Sequence, residues 1–285
     1  MASSITIVTA YFDIGRGDWT ANKGFRNKLA RSTNTYFDYF KNLAALENEM
    51  VIYTSADLKP KIEALRQGKS TTVIAIDIHK KFQRIRKKIE TVQQDENFRS
   101  KLEDQQLKNP EYWSPDYVLV CNLKTYFVKK SIDLGLVTTP LAAWVDFGYC
   151  RKPKVTAGLK VWDYPFDRER MHFFTIKNGL NITSQQQAFD YMVGNHVYII
   201  GGAVVGAREK WQELAPLIFE SQKMTLQNNI VDDDQGIFLM CYFKRPKLFK
   251  LNYLGRGKWF DLFRCFRRTR IGAKYQAMRL RFLQK

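Results

Sequence analysis

Short apolar runs alternate with amphipathic stretches through the first half of the chain. Three runs rich in β-branched residues, at 4–12, 50–55 and 71–78, predict strands, and the stretches between them have the apolar spacing of helices. A fourth apolar run, at 141–147, follows a further helical stretch. Regular alternation of strand and helix predicts an α/β protein with a largely parallel central sheet.

Between the third and fourth strands the pattern is helical. A charged stretch at about 80–108 predicts one long helix. Ser114 followed by Pro115 is typical of an N-cap and a first helical position, and Gly135 marks the end of the helix that begins there.

The second half has a different pattern. The aromatic, turn-rich stretch at 158–176 predicts short strands in a smaller mixed sheet beside the main one. A strand is predicted before Gly201 and Gly202, then a second short apolar segment and a long amphipathic helix. Two adjacent glycines remove side chains where a backbone bends or where another group approaches closely.

Composition adds the class of protein. With 285 residues of which 45% are hydrophobic, the chain can bury a sizeable core as one domain. Its four cysteines are scattered, which predicts a reducing compartment rather than a disulfide framework. No secretory leader and no apolar run of membrane-spanning length is found, so we expect a cytoplasmic protein.

The net charge of +18 is concentrated near one end, where residues 244–285 hold fourteen Lys and Arg against one Asp. Basic and aromatic residues interleave in the tail at 256–285. This combination suits the surface of an anionic membrane, so peripheral attachment to the cytoplasmic face of the inner membrane is predicted. The alternative is a helix that packs on the domain with solvated arginines.

Three segments end predicted strands at one edge of the sheet: Thr9 to Phe12, Tyr53 to Asp57, and Asp146 to Gly148. Ligands of open α/β sheets bind beyond the carboxyl ends of the strands, so we expect these segments to converge on one crevice. Asp146, directly after an apolar strand, faces either a ligand or a turn.

Two further features need an explanation. Lys124 lies on an apolar helix, where its ammonium needs a partner or a route to solvent. Asp232, Asp233 and Asp234 stand at the predicted start of a helix, where acids also complement the helix dipole. As a helix cap, Asp232 is the strongest candidate of the three.

The segments "WVDFG", "YIIGGAVVG…W" and "DDDQGIF", in this order, resemble nucleotide-sugar-dependent glycosyltransferases of GT-A fold. Over roughly residues 4–260, the chain resembles the bacterial HtrL/YibB (WlaTC/HtrL) glycosyltransferase-like family. The resemblance implies one GT-A-like, Rossmann-type domain at 1–255, followed by the tail. Within it, 1–148 is the nucleotide-binding half and 149–255 the acceptor and catalytic half.

The resemblance also implies an activity: transfer of a hexose from a nucleoside diphosphate sugar, with UDP as the expected nucleotide, to a saccharide or glycolipid acceptor of the cell surface, such as lipopolysaccharide. Asp146 matches the acid of a DxD-type motif that holds Mn or Mg against the diphosphate. Gly148 stands where the second acid of that motif is expected, which leaves one carboxylate to hold the metal alone or with a ligand from a distant part of the chain.

Other roles are carried over from the same resemblance. Asp234 and Gln235, with Asp233, match the catalytic positions. The positions implied for nucleotide binding are Thr9, Ala10, Tyr11, Phe12, Tyr53, Asp57, Lys124 and Lys258. The positions implied for the sugar or acceptor are Gly148, His196, Gly201 and Gly202, although a histidine such as His196 can also serve only the fold.

Two other classes of protein remain as alternatives. The basic charge allows a nucleic-acid or anionic-surface binding protein, but no RRM, KH, helix-turn-helix or OB signature is present, so no nucleic-acid partner is expected. The missing second acid also allows a GT-A-like protein without activity.

Overall fold

The computed structural model describes residues 4–268. Its strands are β1 (Ile5–Tyr11), β2 (Met50–Thr54), β3 (Thr71–Ala75), β4 (Leu141–Val145), β5 (Met171–Thr175), β6 (Ile199–Ala207) and β7 (Phe249–Tyr253). They form one sheet in the order β3-β2-β1-β4-β6-β5-β7. β6 is antiparallel to both of its neighbours, β4 and β5, and every other pairing is parallel. The predicted α/β class with a mostly parallel sheet is confirmed.

Helices flank both faces of this sheet. They are α1 (Thr33–Ala44), α2 (Lys59–Leu65), α3 (Ile78–Lys81), α4 (Gln83–Gln94), α5 (Glu96–Arg99), α6 (Pro115–Asn122), α7 (Lys124–Asp133), α8 (Gln185–Val193), α9 (Arg208–Gln227), α10 (Asp234–Lys244) and α11 (Leu262–Cys265). Strand β1 is buried along its whole length, and its side chains alternate between two cores. One core includes residues of α4, α6, α7, α9 and α10, and the other includes residues of α1, α2 and α11.

Local capping explains several helix boundaries. The Ser114 hydroxyl accepts from the Tyr117 N–H and Pro115 opens α6, as predicted. The single helix predicted to continue as far as Gly135 is wrong, because α6 ends at Asn122 and α7 begins at Lys124. The single long helix predicted at about 80–108 is wrong, because the chain forms α3, α4 and α5 instead. Asp95 accepts hydrogen bonds from the N–H groups of Asn97 and Phe98, which ends α4 and caps the start of α5.

The smaller mixed sheet predicted for the second half is also wrong for the described residues. β5, β6 and β7 extend the main sheet, because β6 pairs with β4 from Leu141↔Ala207 to Val145↔Ala203. Gly201 and Gly202 do not divide β6, which runs unbroken for nine residues. Both glycines adopt extended backbone within the strand. The sequence pattern alone does not show whether two adjacent glycines interrupt a strand or leave room for another group to approach it.

The beginning of the predicted tail packs on the domain. Leu262 and Phe263 are fully buried in the second core, and the Trp162 indole N–H donates to the Phe266 carbonyl. The chain therefore belongs to the domain at least as far as Phe266, beyond the expected boundary at residue 255. Residues 269–285, most of the predicted amphipathic tail, lie outside the described residues.

Candidate active site

A cavity of about 250 Å³ opens at the carboxyl ends of β1 and β4. Because β6 is antiparallel, its beginning, with Gly201 and Gly202, lies at the same edge. The N-terminus of α10 completes this side of the cavity with Asp233, Asp234 and Gln235. Two of the three strand ends expected to converge therefore do so, those of β1 and β4.

Lys124, the first residue of α7, lies at the centre of this acidic side. Its Nζ is 2.9 Å from Asp146 Oδ1 and 2.7 Å from Asp234 Oδ2, and it donates to the Gly201 carbonyl at 2.8 Å. One hydrogen-bond acceptor and two carboxylates paired by charge therefore surround the ammonium. Its side chain is 9% exposed. The partner that a buried lysine requires is a pair of carboxylates.

The two carboxylates differ in their access to the cavity. The Asp146 side chain is 39% exposed, whereas that of Asp234 is 4% exposed. The Trp144 indole N–H donates to Asp146 Oδ1 at 2.8 Å, so both Trp144 and Lys124 orient this carboxylate. Of the two readings of Asp146, the structure supports a side chain that lines a cavity.

Electrostatics in this cluster favour one shared ion pair with excess negative charge. Burial lowers the pKa of Lys124, but Asp146 and Asp234 outweigh burial and hold that pKa well above its ordinary value. Burial raises the pKa of Asp234, and Lys124 opposes this effect. The raised pKa of Lys124 follows from two carboxylates beside one ammonium, whereas that of Asp234 follows from burial, which Lys124 offsets only in part.

Gly201 is required by this geometry. A Cβ at residue 201 would overlap the Asp234 carboxylate, so any other residue would have to displace that carboxylate. A Cβ at Gly148 would be 2.9 Å from the Tyr36 ring, which also limits that position to glycine or a displaced ring. The close approach predicted for the double glycine is thus made by a carboxylate of the same chain.

The acidic run at the start of α10 divides into three environments. Asp233, rather than Asp232, is the N-cap, because its side chain accepts from the Gln235 N–H. Asp232 accepts from the Asp233 N–H and does not line the cavity. Burial raises the pKa of Asp233 well above its ordinary range, and the Asp234 charge adds to this effect. Gln235 Oε1 is buried without a hydrogen-bond partner among the described residues.

Arginines and tyrosines also line the cavity, and we define this group as the second wall: Arg16, Arg31, Arg151, Tyr36 and Tyr39. The Arg16 guanidinium donates to the Tyr36 hydroxyl at 2.6 Å, and Arg151 lies over the Tyr39 ring at 6.0 Å. Burial lowers the pKa of Arg151, and the Arg31 charge lowers it further. The arginines are therefore close enough to repel one another, an arrangement that favours an anion between them.

The residues expected to bind a nucleotide are only partly brought together. Ala10, Tyr11, Phe12 and Lys124 line the cavity. Thr9 is fully buried and does not line it.

Three further positions from the resemblance also lie outside the lining. Tyr53 is buried, with its hydroxyl 3.1 Å from that of Ser131, and Asp57 lies in an exposed turn after β2. Lys258 is exposed, and its neighbours Trp259 and Phe260 line the cavity instead. On the acceptor side, Gly148, Gly201 and Gly202 line the cavity, whereas His196 is exposed beside the Tyr191 ring.

Sequence reasoning missed the arginines of the second wall. Arg16 lies between two glycines five residues after β1, and Arg151 lies five residues after Asp146. A search extended from the strand ends into the following loops would have found both. Arg31 precedes the cap of α1 and carries no such signal.

The donor set does not fit a divalent metal at Asp146. Lys124 lies between Asp146 and Asp234, where a metal would need their oxygens. A second group, Cys121, Asp233 and Asp234, has ligand atoms within 4.8 Å of one another. Burial raises the pKa of the Cys121 thiol well above its ordinary range, and Mg and Mn prefer oxygen ligands.

Comparison with known proteins identifies relatives of this chain. Residues 3–268 match the model of a family described as a bacterial protein of unknown function, HtrL_YibB. The chain belongs to the HtrL/YibB family. Protein HtrL of Escherichia coli strain K12 is 71% identical over 280 residues, which cover 98% of each chain. The predicted resemblance to the HtrL/YibB family is confirmed.

Among solved structures, the chain is similar to 4-diphosphocytidyl-2C-methyl-D-erythritol synthase of Anaerococcus prevotii. The TM-score is 0.39 and the identity 10%, over 98% of this chain and 99% of the other. A likeness this weak says nothing about the site. Within residues 4–268, no helix is both long enough and apolar enough to cross a membrane.

Proposed function

We propose that this HtrL/YibB protein is a nucleotide-sugar-dependent glycosyltransferase of GT-A-like fold. The observation that carries the proposal is one cavity at the carboxyl ends of parallel strands, lined both by carboxylates and by arginines and tyrosines. A nucleoside diphosphate sugar has matching parts: an anionic diphosphate, a flat base and a sugar that must react at one carbon. The expected donor is a UDP-sugar and the expected acceptor a saccharide, including lipid-linked ones.

The arginine wall suits the donor. Arg16, Arg31 and Arg151 supply positive charge for a diphosphate, whose negative charge grows as the sugar leaves. The half-buried rings of Tyr36 and Tyr39 offer faces on which a base can stack. The buried, unpartnered Gln235 Oε1 can accept a hydrogen bond from a sugar hydroxyl.

The acidic side suits the transfer step. The acceptor oxygen attacks the anomeric carbon, the bond from that carbon to the diphosphate breaks, and the hydroxyl proton passes to a carboxylate. Asp234 is already committed to Lys124. Asp233 lines the cavity and has a raised pKa, so we assign it the role of base. Asp146 faces the cavity and is held ready by Trp144 and Lys124.

A cytoplasmic location, with the basic tail at an anionic inner-membrane surface, stays part of the proposal. It places the active site where a glycolipid acceptor would be presented. Residues 256–268 contribute to the folded domain, so any membrane contact would depend mainly on residues 269–285.

The first test is binding. Purified protein is titrated calorimetrically with UDP, GDP, CDP and ADP, with uridine as a control for the diphosphate. We expect UDP to bind and uridine to bind at least tenfold more weakly, because the arginines interact with the diphosphate. Absence of binding by every nucleoside diphosphate at millimolar concentration would overturn the proposal.

The second test separates catalysis from folding with two adjacent acids. Asp233→Asn should lower the rate of sugar transfer at least a hundredfold, because the base is lost. Asp232→Asn is the matched control, since Asp232 is equally buried but does not line the cavity. Equal rates for the two variants would remove Asp233 from the mechanism.

A further inference from the structure

The position between Asp146 and Asp234 is filled by a side chain of the protein. Lys124 Nζ lies 2.9 Å and 2.7 Å from their oxygens, which are distances of close ion pairs. Its hydrogen-bond acceptor, the Gly201 carbonyl, is part of β6. Lys124 begins α7, and the absence of a side chain at Gly201 leaves room for the Asp234 carboxylate. These two backbone positions allow the ammonium to lie between the two carboxylates.

A divalent cation would require the same oxygens. Mg and Mn prefer oxygen ligands and bind carboxylate oxygens at about 2.0–2.2 Å. Binding at Asp146 and Asp234 would therefore have to expel a buried lysine, and two like charges cannot share the space. Gly148, two residues after Asp146, offers no second acid to build a metal site further towards solvent.

We propose that the ammonium of Lys124 takes the place of a divalent metal in this site, and that the arginines of the second wall hold the diphosphate. The first part rests on the Lys124 contacts alone. The second part rests on the proposed function, because it presumes a nucleoside diphosphate.

The charge distribution supports the second part. The pair of carboxylates exceeds the single ammonium by one negative charge, so the acidic side cannot attract a diphosphate by itself. Arg16, Arg31 and Arg151 belong to the second wall, and an anion with two or three negative charges would relieve their mutual repulsion. Arg16 is also held in place by its hydrogen bonds to the Tyr36 hydroxyl and to the Leu29 carbonyl, so its side chain loses little conformational entropy when an anion binds.

Manganese binding tests the first part without any substrate. The electron paramagnetic resonance signal of free Mn²⁺ is followed during titration with the full-length protein and with Lys124→Ala. We expect no binding by the wild-type protein below about 1 mM and one Mn²⁺ per chain in Lys124→Ala, with a rise in its thermal midpoint on Mn²⁺ addition. Lys124→Ala combined with Asp234→Asn should lose this binding.

Two results would overturn the first part. One is a wild-type protein that binds one Mn²⁺ with micromolar affinity that Asp146→Asn removes. The other is a folded Lys124→Ala variant that binds no Mn²⁺, because the freed carboxylates would then not form a metal position. If Lys124→Ala does not fold, the wild-type titration decides alone.

Nucleotide binding tests the second part. UDP should bind equally well in EDTA and in MnCl₂. Arg31→Gln and Arg151→Gln should each weaken UDP binding by about ten- to a hundredfold and leave uridine binding unchanged. Arg208→Gln, an exposed arginine at the start of α9 and outside the cavity lining, is the matched control.

The outcomes separate the two proposals. UDP that binds only with Mn²⁺ would overturn this inference and leave the proposed function standing. No UDP binding in either solution would overturn the arginine part together with a UDP-sugar donor, whereas the Mn²⁺ titration would still decide the role of Lys124.

Discussion

Replacing Lys124 by Met removes the ammonium between Asp146 and Asp234 and keeps most of the side-chain volume. Asp234, whose side chain is 4% exposed, is then a buried carboxylate without its cation. Breaking a buried ion pair from one side costs about 3–5 kcal/mol of unfolding free energy. Asp146 is 39% exposed and adds little, because water can solvate it. The cost of losing the hydrogen bond to the Gly201 carbonyl is included in that free energy.

The loss should depend on pH in a definite direction. Burial already raises the pKa of Asp234, and the loss of Lys124 removes the largest interaction that opposes this effect. In the variant, the folded state therefore binds a proton more readily than the unfolded state, whose Asp has its ordinary pKa near 3.9. The penalty is fully present above the folded pKa and shrinks as the pH falls towards the unfolded one. We expect a smaller deficit at pH 5 than at pH 8.

Urea denaturation at several pH values measures this effect. Lys129→Met is the control, because Lys129 lies on the same helix in a half-exposed pair with Asp133, and its loss should cost about 0.5 kcal/mol or less. Lys124→Met combined with Asp234→Asn should recover most of the stability. A deficit below about 1 kcal/mol for Lys124→Met, or one that does not change with pH, would refute the reasoning.

Three other perturbations follow from the packing. Gly201→Ala should cost about 1–3 kcal/mol and weaken UDP binding, because its Cβ displaces the Asp234 carboxylate; unchanged melting and binding would contradict this. A chain that ends at residue 253 should lose cooperative unfolding by calorimetry and one that ends at 268 should keep it, since the buried apolar residues at 262–266 contribute about 5–9 kcal/mol. Burial lowers the pKa of His172, so the native state should lose stability as the pH falls below about 6.5, by at most about 1.4 kcal/mol per pH unit; His172→Leu should abolish that slope in urea titrations.

Local sequence signals determined much of the fold. Three β-branched runs predicted β1 to β3, and an apolar run predicted β4. The continuous apolar pattern of β1, β2 and β4 follows from their burial along the whole strand. Ser114 and Pro115 predicted the start of α6, because an N-cap depends only on neighbouring residues. The expectation that Lys124 needs a partner likewise follows from the cost of burying one charge.

Contacts between distant segments were decided by the tertiary structure alone. The pairing of β6 with β4 makes one sheet instead of two, and a run of apolar residues does not state its partner strand. The structure also shows that Asp233 caps α10, a choice that the sequence could not make because Asp232 and Asp233 are adjacent and identical.

The site shows the same division most clearly. Sequence by itself identified Asp146, Asp234 and Lys124 as separate residues that required an explanation. Only the fold brings the Asp146 and Asp234 carboxylates within 2.9 Å of the Lys124 ammonium, although they lie about twenty and about a hundred residues from it in the sequence. The fold also assembles Arg16, Arg31 and Arg151 in the second wall of the same cavity. Coulombic energy depends on distance in space, and strand order and helix packing set that distance across long stretches of chain.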